Sequence, residues 1–362
     1  MANAESVSHE DLVVCAVKDR EYTARDTIEA ALFRGDLVPV WTSFLHRVAA
    51  EKHADDNEID LDEDAIDAAA ERFRYNHDLI TAEETEQWLA GRGLDLDDFG
   101  SYFARQVAAE LLGDSVPAET VEYRTANDET RQLFLVELIL SDQLEKMTNA
   151  LAWRLAALAA AAESDADAIA AERKLFLART GLTEPGLPEW LASLRRDSNW
   201  LDQMLRMESE FRRRVDALLT PQTRQREMNQ LRLPLTRFEA EVIELESKDA
   251  AQEALFCVKH DGMSMEEVAM EGRYPYKVIS FLQEDIPQEL QQKFLSVSPG
   301  EVLDPVSRGD GFELYRVTSK KEPQGDDSAV QERIDHLLLS RHFADLTSRH
   351  VENRLFMTSA TQ

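Results

Sequence analysis

The chain has 362 residues, with 70 acidic and 40 basic side chains and a formal net charge of −30. That balance argues against nucleic acid or an anionic membrane surface as partner, because phosphate-bearing surfaces are bound by clustered Lys and Arg. At 43% apolar and 30% charged residues the composition is globular, with room for two or three domains, and no apolar run is long enough for a membrane-spanning helix.

The opening stretch, Met1 to Asp11, has neither a basic n-region nor an apolar h-region, which sets a cytoplasmic expectation. Cys15 and Cys257 both sit in apolar runs and read as small buried hydrophobes in a reducing compartment. Leu12–Val17 is a short apolar strand. Thr23 then N-caps a helix from Ala24 to Phe33. Helical spacing continues through Pro39–His53, Leu61–Asp78, Ala82–Ala90 behind the capping box of Thr81 and Glu84, and Asp95–Leu112. A linker, Gly113–Asp128, separates these from further helices over Glu129–Ala162, Asp165–Thr180, Pro188–Leu194 and Ser198–Leu219. Phe73 with Trp88-Leu89 and Phe176 with Trp190-Leu191 recur at similar spacing, as diverged copies of one pattern or two ordinary helix hairpins would.

From Arg237 the character changes. Arg237–Leu245 alternates as a strand does. Asp249–His260 is an amphipathic helix ended by Asp261-Gly262, and Ser264 with Glu267 caps Met265–Met270. Val278–Leu282 is apolar, Pro287–Val297 helical, and Pro299-Gly300 opens a segment that bends at Asp304-Pro305. Gly309-Asp310-Gly311 turns into a closing strand to Val317, and Ala329–Phe356 reads as one long helix.

This order of parts resembles the SurA/PrsA-type chaperone isomerases. The motifs that carry the likeness are Asp261–Ala269, the run Phe294-x5-Gly300-Glu301-Val302, Pro305 and the Gly311–Val317 strand. The resemblance implies an α+β chain. Its parts are a helical SurA-like N-terminal domain (1–113), a second helical region (114–232), a parvulin-like small sheet with helices (233–323) and a C-terminal helix packed on the helical region (324–362). Parvulins carry one histidine in the first strand and another in the last. Here Glu241 and Glu313 stand at those positions, so the proline cleft is expected to hold two carboxylates and to be catalytically degenerate. Carboxylates facing one cleft would repel or share a proton, and would not replace two neutral imidazoles at a twisted amide. The apolar wall of the cleft is expected from Phe281, Ile286, Leu290, Phe294 and Phe312.

No metal, nucleotide or nucleophile motif appears, and no cofactor is expected. His336, His342 and His350 lack one-turn spacing, the Asp55–Asp67 run lacks the pattern of a calcium loop, and Arg212–Arg214 reads as a solvated face. The expectation is therefore a chaperone-like protein that binds a peptide or unfolded client and assists a cytosolic, ribosomally made precursor. An active peptidyl-prolyl isomerase and a structural subunit, homodimeric through its last helix, stand as alternatives.

Overall fold

The structure, a computed structural model, describes residues 9–117, 120–162, 165–309 and 311–356. Residues 1–8 of the opening stretch and Asp310 in the expected turn lie outside them. The chain divides into two compact units, Met1–Val215 with Arg341–Gln362, and Asp216–Ser340.

The first unit is helical around a small sheet. β1 (Val13–Val17) pairs antiparallel with β2 (Arg20–Thr23) through the tight Lys18-Asp19 turn. Thr23 and Asp26 form a reciprocal capping box for the helix Ala24–Arg34, and Gly35, at φ 85°, ends it in the left-handed region that glycine enters without strain. The span expected as one helix over Glu129–Ala162 is two, Asp128–Leu140 and Gln143–Ala159. They are separated at Asp142, whose backbone is left-handed (φ 57°) without a glycine to announce it.

Two helix triads, Glu63–Asn76/Ala82–Ala90/Leu96–Leu112 and Ala166–Thr180/Leu187–Ser193/Ser198–Leu218, share one local design. Asp62 and Asp165 cap their first helices. Phe73 meets Trp88 edge-on at 5.3 Å, as Phe176 meets Trp190. Asp95 and Asp197 both accept from backbone N–H groups where the third helix begins. Phe33 stacks on Phe176 at 4.5 Å, joining the second triad to the N-terminal helix. Arg212 and Arg213 are exposed, in keeping with a solvated face, and also pair with the buried carboxylates of Glu172 and Glu210. A buried charge of this kind is tolerable only when paired.

The last helix runs Ser328–His350, not on to Phe356. After Val351 the chain extends as β7 (Glu352–Asn353) and adds to the free side of β1, giving the order β2-β1-β7. Leu355 therefore packs on the helical core from beyond the helix.

The second unit is built on an antiparallel sheet of order β4-β3-β6-β5, with β3 Arg237–Leu245, β4 Tyr276–Leu282, β5 Val306–Arg308 and β6 Gly311–Lys321. Helices Lys248–Lys259 and Met265–Gly272 link β3 to β4, and Gln288–Ser296 follows β4. Between the Pro299-Gly300 turn and the bend at Asp304-Pro305, Val302 makes a single antiparallel bridge to Arg316. One sheet face packs Phe238, Ala240 and Val242 with Phe294, Tyr315 and Val317. The other packs Ile243, Leu245 and Leu314 under the two linking helices. The start of the last helix closes a third cluster through Val330, Ile334 and Leu338.

Candidate functional site: the edge strand and the apolar face of the small sheet

Strand periodicity and register decide which side chains can meet. In β3 the even-numbered residues Phe238, Ala240 and Val242 face the first cluster, and Glu239, Glu241 and Ile243 face the other way. Glu244 lies opposite Glu313 in β6, and Glu241 lies opposite Arg316. Glu313 therefore shares its face with Tyr315, whereas Glu241 projects from the opposite face. The two carboxylates expected to share a cleft are separated by the sheet itself. Their shared cleft is a mistaken reading: β3 alternates without interruption, so Glu241 lies on the face of Ile243 and Leu314, opposite Arg316, while Glu313 takes the Tyr315 face.

Each carboxylate has its own partners. Glu241 accepts from Tyr276 Oη at 2.9 Å and from Arg316 Nε. Burial pushes its pKa up, but the hydrogen bonds from Arg316 and Tyr276 outweigh this and hold the carboxyl below the usual glutamate range. Glu313 accepts from Tyr315 Oη and from Arg308 Nη1 at 3.2 Å. Burial, reinforced by the Glu313 carboxylate, pushes the Tyr315 phenol up to about 12, so it is a neutral donor at physiological pH. Arg308, on the short edge strand β5, was not anticipated, and only its register opposite Gly311 brings it to Glu313. At the middle of the central strand, the position on the Glu313 face is Ala240, and no strand of this sheet carries a histidine.

Of the expected apolar wall, Phe281, Ile286, Leu290 and Phe294 do come together. Phe294 meets Phe281 and Tyr315 edge-on, both at 5.3 Å. It is completely buried and Leu290 nearly so, which leaves Phe281 and Ile286 as the accessible part of the wall. Phe312 is a correction: it pairs with Leu245 and packs on the helix-covered face, away from the others.

The accessible feature lies at the sheet's margin. β4 is an edge strand, and Val278 in its middle is 65% exposed. Glu244 N–H donates to the Pro275 carbonyl at 3.0 Å, and Gln283 N–H to the Thr236 carbonyl at 2.9 Å. Those two bonds fix the phase of the ladder: hydrogen-bonded pairs fall on even β3 positions, so Lys277, Ile279 and Phe281 bond to β3. The N–H and C=O groups of Val278 and Ser280 then point outward, ready for another strand. The Leu282 N–H, which also points away from β3, is met by the Asp285 carboxylate at 3.3 Å. Beside this edge runs a groove of about 460 Å³, lined by Ser280, Phe281, Leu282 and, from the last helix, Ala329, Arg333 and His336. Arg333 is held by Glu284 at 2.7 Å and by Asp285.

The structure is similar to the peptidylprolyl isomerase PrsA of Bacillus cereus, with TM-score 0.37 and 11% identity over 64% of this chain and 88% of that one. It is also similar to the foldase PrsA of Streptococcus pneumoniae (0.30, 13%, 96% and 97%) and to a SurA-like chaperone of Campylobacter jejuni (0.20, 12%, 61% and 87%). Neither a protein-family model nor a curated protein matches the sequence.

Proposed function

We propose that this chain binds extended peptide or unfolded protein along β4, as a chaperone-like protein whose isomerase-like sheet no longer catalyses proline isomerisation. The observation that carries this reading is the outward row of Val278 and Ser280 backbone groups beside a groove containing Phe281. An added strand satisfies such an edge through main-chain bonds, and alternate side chains entering the groove give selectivity. The apolar face behind it is poorly suited to catalysis. Ala240 offers no polar group, and the Glu313 carboxylate is already engaged by Tyr315 and Arg308. Two unpaired thiols, Cys15 and Cys257, support a reducing, cytosolic setting, and in that setting the client is a ribosomally made precursor peptide undergoing maturation.

Two measurements on the intact chain test this. A labelled peptide of alternating valine and threonine is expected to bind saturably, and no binding at neutral pH would remove the reading. In a protease-coupled assay on an Xaa-Pro peptide, the rate is expected to equal the spontaneous one. Acceleration that disappears in Glu313→Ala would establish instead that the face is an active isomerase site.

A further inference from the structure

A second surface, in the helical unit and independent of the sheet edge, has the chemistry of a cation-selective peptide groove. Helices Glu63–Asn76, Ala82–Ala90 and Leu96–Leu112 enclose a cleft of about 560 Å³, continuous through Glu86 and Leu96 with a smaller one of about 390 Å³. The floor is apolar: Phe99, Leu89, Leu94 and Leu96, the last 52% exposed at the start of its helix. The rim is acidic. Asp64, Asp67, Glu71 and Glu86 surround the larger cleft, and Asp95 and Asp97 the smaller. Arg74 is the single cation in either lining, and its guanidinium donates to the Ile80 carbonyl at 2.9 Å. Among the described residues, none of Asp64, Asp67, Glu71, Glu86 and Asp97 takes part in an ion pair, whereas Glu172 and Glu210 of the second triad do. Carboxylates gathered around an apolar floor repel one another, at a cost to the empty cleft.

The second triad shows that the fold does not require this rim. It keeps the capping aspartates and the Phe–Trp contact, yet the positions equivalent to Asp67, Glu71 and Glu86 hold Ala170, Lys174 and Pro188. The same helical packing therefore carries an acidic rim in one triad and lacks most of it in the other. We infer that the first-triad groove docks a basic peptide segment, with Lys or Arg on both sides of a bulky apolar side chain that lies against Leu96 and Phe99. Charge complementarity supplies steering and selectivity, and the apolar floor supplies the contact that outlasts salt screening.

The test uses the full-length protein and a short labelled Leu/Lys peptide, with a Leu/Glu peptide of the same length as counterpart. The Leu/Lys peptide is expected to bind and to weaken about tenfold or more in Glu71→Lys/Glu86→Lys. Asp167→Lys/Glu189→Lys changes the net charge by the same amount in the second triad and is expected to leave affinity within about twofold. Equal weakening by both double variants would reduce the effect to overall charge and overturn the inference, as would unchanged binding in the first. Val278→Pro separates this site from the sheet edge. It is expected to leave Leu/Lys binding intact while weakening capture of the valine/threonine peptide about 30-fold. Loss of Leu/Lys binding in Val278→Pro alone would overturn the groove and leave the edge proposal standing.

Discussion

Replacing Val278 by proline tests the edge strand with little damage to the fold. The Val278 side chain is mostly exposed, and its N–H points away from β3, so proline removes neither core packing nor a ladder hydrogen bond. Lys277, the residue before it, is already in extended β4, as proline requires of its predecessor. The expected stability loss is under about 1 kcal/mol in urea unfolding. Binding should suffer much more. A peptide strand pairing with Val278 and Ser280 forms up to four main-chain hydrogen bonds, each contributing about 0.5–1.5 kcal/mol net. Proline deletes one donor and strands a peptide carbonyl in the new sheet, for a loss of about 2 kcal/mol, or about 30-fold in Kd. Ile279→Pro, one residue on, is the internal contrast. Its N–H bonds to β3 and its side chain packs on the apolar face, so it should cost about 3 kcal/mol or more in stability. Fluorescence anisotropy with the valine/threonine peptide reads the affinity. A folded Val278→Pro protein that binds as tightly as the parent would refute addition to this edge.

Phe294→Ala empties the centre of the apolar face and should destabilise the sheet unit by about 3–5 kcal/mol, read as an early transition in thermal or urea unfolding. Tyr315→Phe removes the hydroxyl that donates to Glu313 and should cost about 1–2 kcal/mol by the same measurement, while peptide binding at β4 is unchanged. Acid titration should weaken the sheet unit in a defined window. Glu241, opposed by burial but held down by Arg316 and Tyr276, and Asp327, likewise held down by Arg237 and backbone N–H groups, both have depressed folded pKa values. Their contribution is complete above the unfolded carboxylate values of about 4, and is lost as pH falls through the lower folded ones. Glu241→Gln should flatten that acid limb, and an unchanged limb would exclude Glu241 as a contributor.

Local signals in the sequence located most elements, and long-range register decided what they did not. Strict alternation over Arg237–Leu245 places β3 at the bounds the structure has, and the Ser264/Glu267 box marks its helix correctly. Which β6 residues share a face with a given β3 residue depends on the pairing register, Glu241 opposite Arg316 and Ile243 opposite Leu314, which local spacing does not give. Glu241 was therefore assigned to a face it does not share with Glu313, and Phe312, next to Glu313 in one strand, lies on the opposite face by alternation alone. Arg308 is invisible as a partner until β5 is folded against β6. The break at Asp142 escaped because the residue adopts a left-handed backbone without glycine, and β7 because two residues are too few for a period. The acidic groove is assembled from three helices, so the run Asp55–Asp67 by itself looks like a solvated stretch.

The pairing of β7 with β1 has a consequence for the order of folding. Arg354 near the end of the described chain donates its backbone N–H to the Val14 carbonyl at 2.9 Å and pairs with Glu21, 333 positions earlier in sequence. During synthesis, Asp216–Ser340 leaves the ribosome as a contiguous stretch and can fold while the helical unit still lacks its third strand. Domains that emerge whole fold as units, and long-separated contacts form late. The helical unit, with its acidic groove, is therefore the part whose completion waits for Glu352, Asn353 and Arg354 to be made. A ribosome-stalled chain ending before Glu352 would expose one side of β1, where the finished protein has β7.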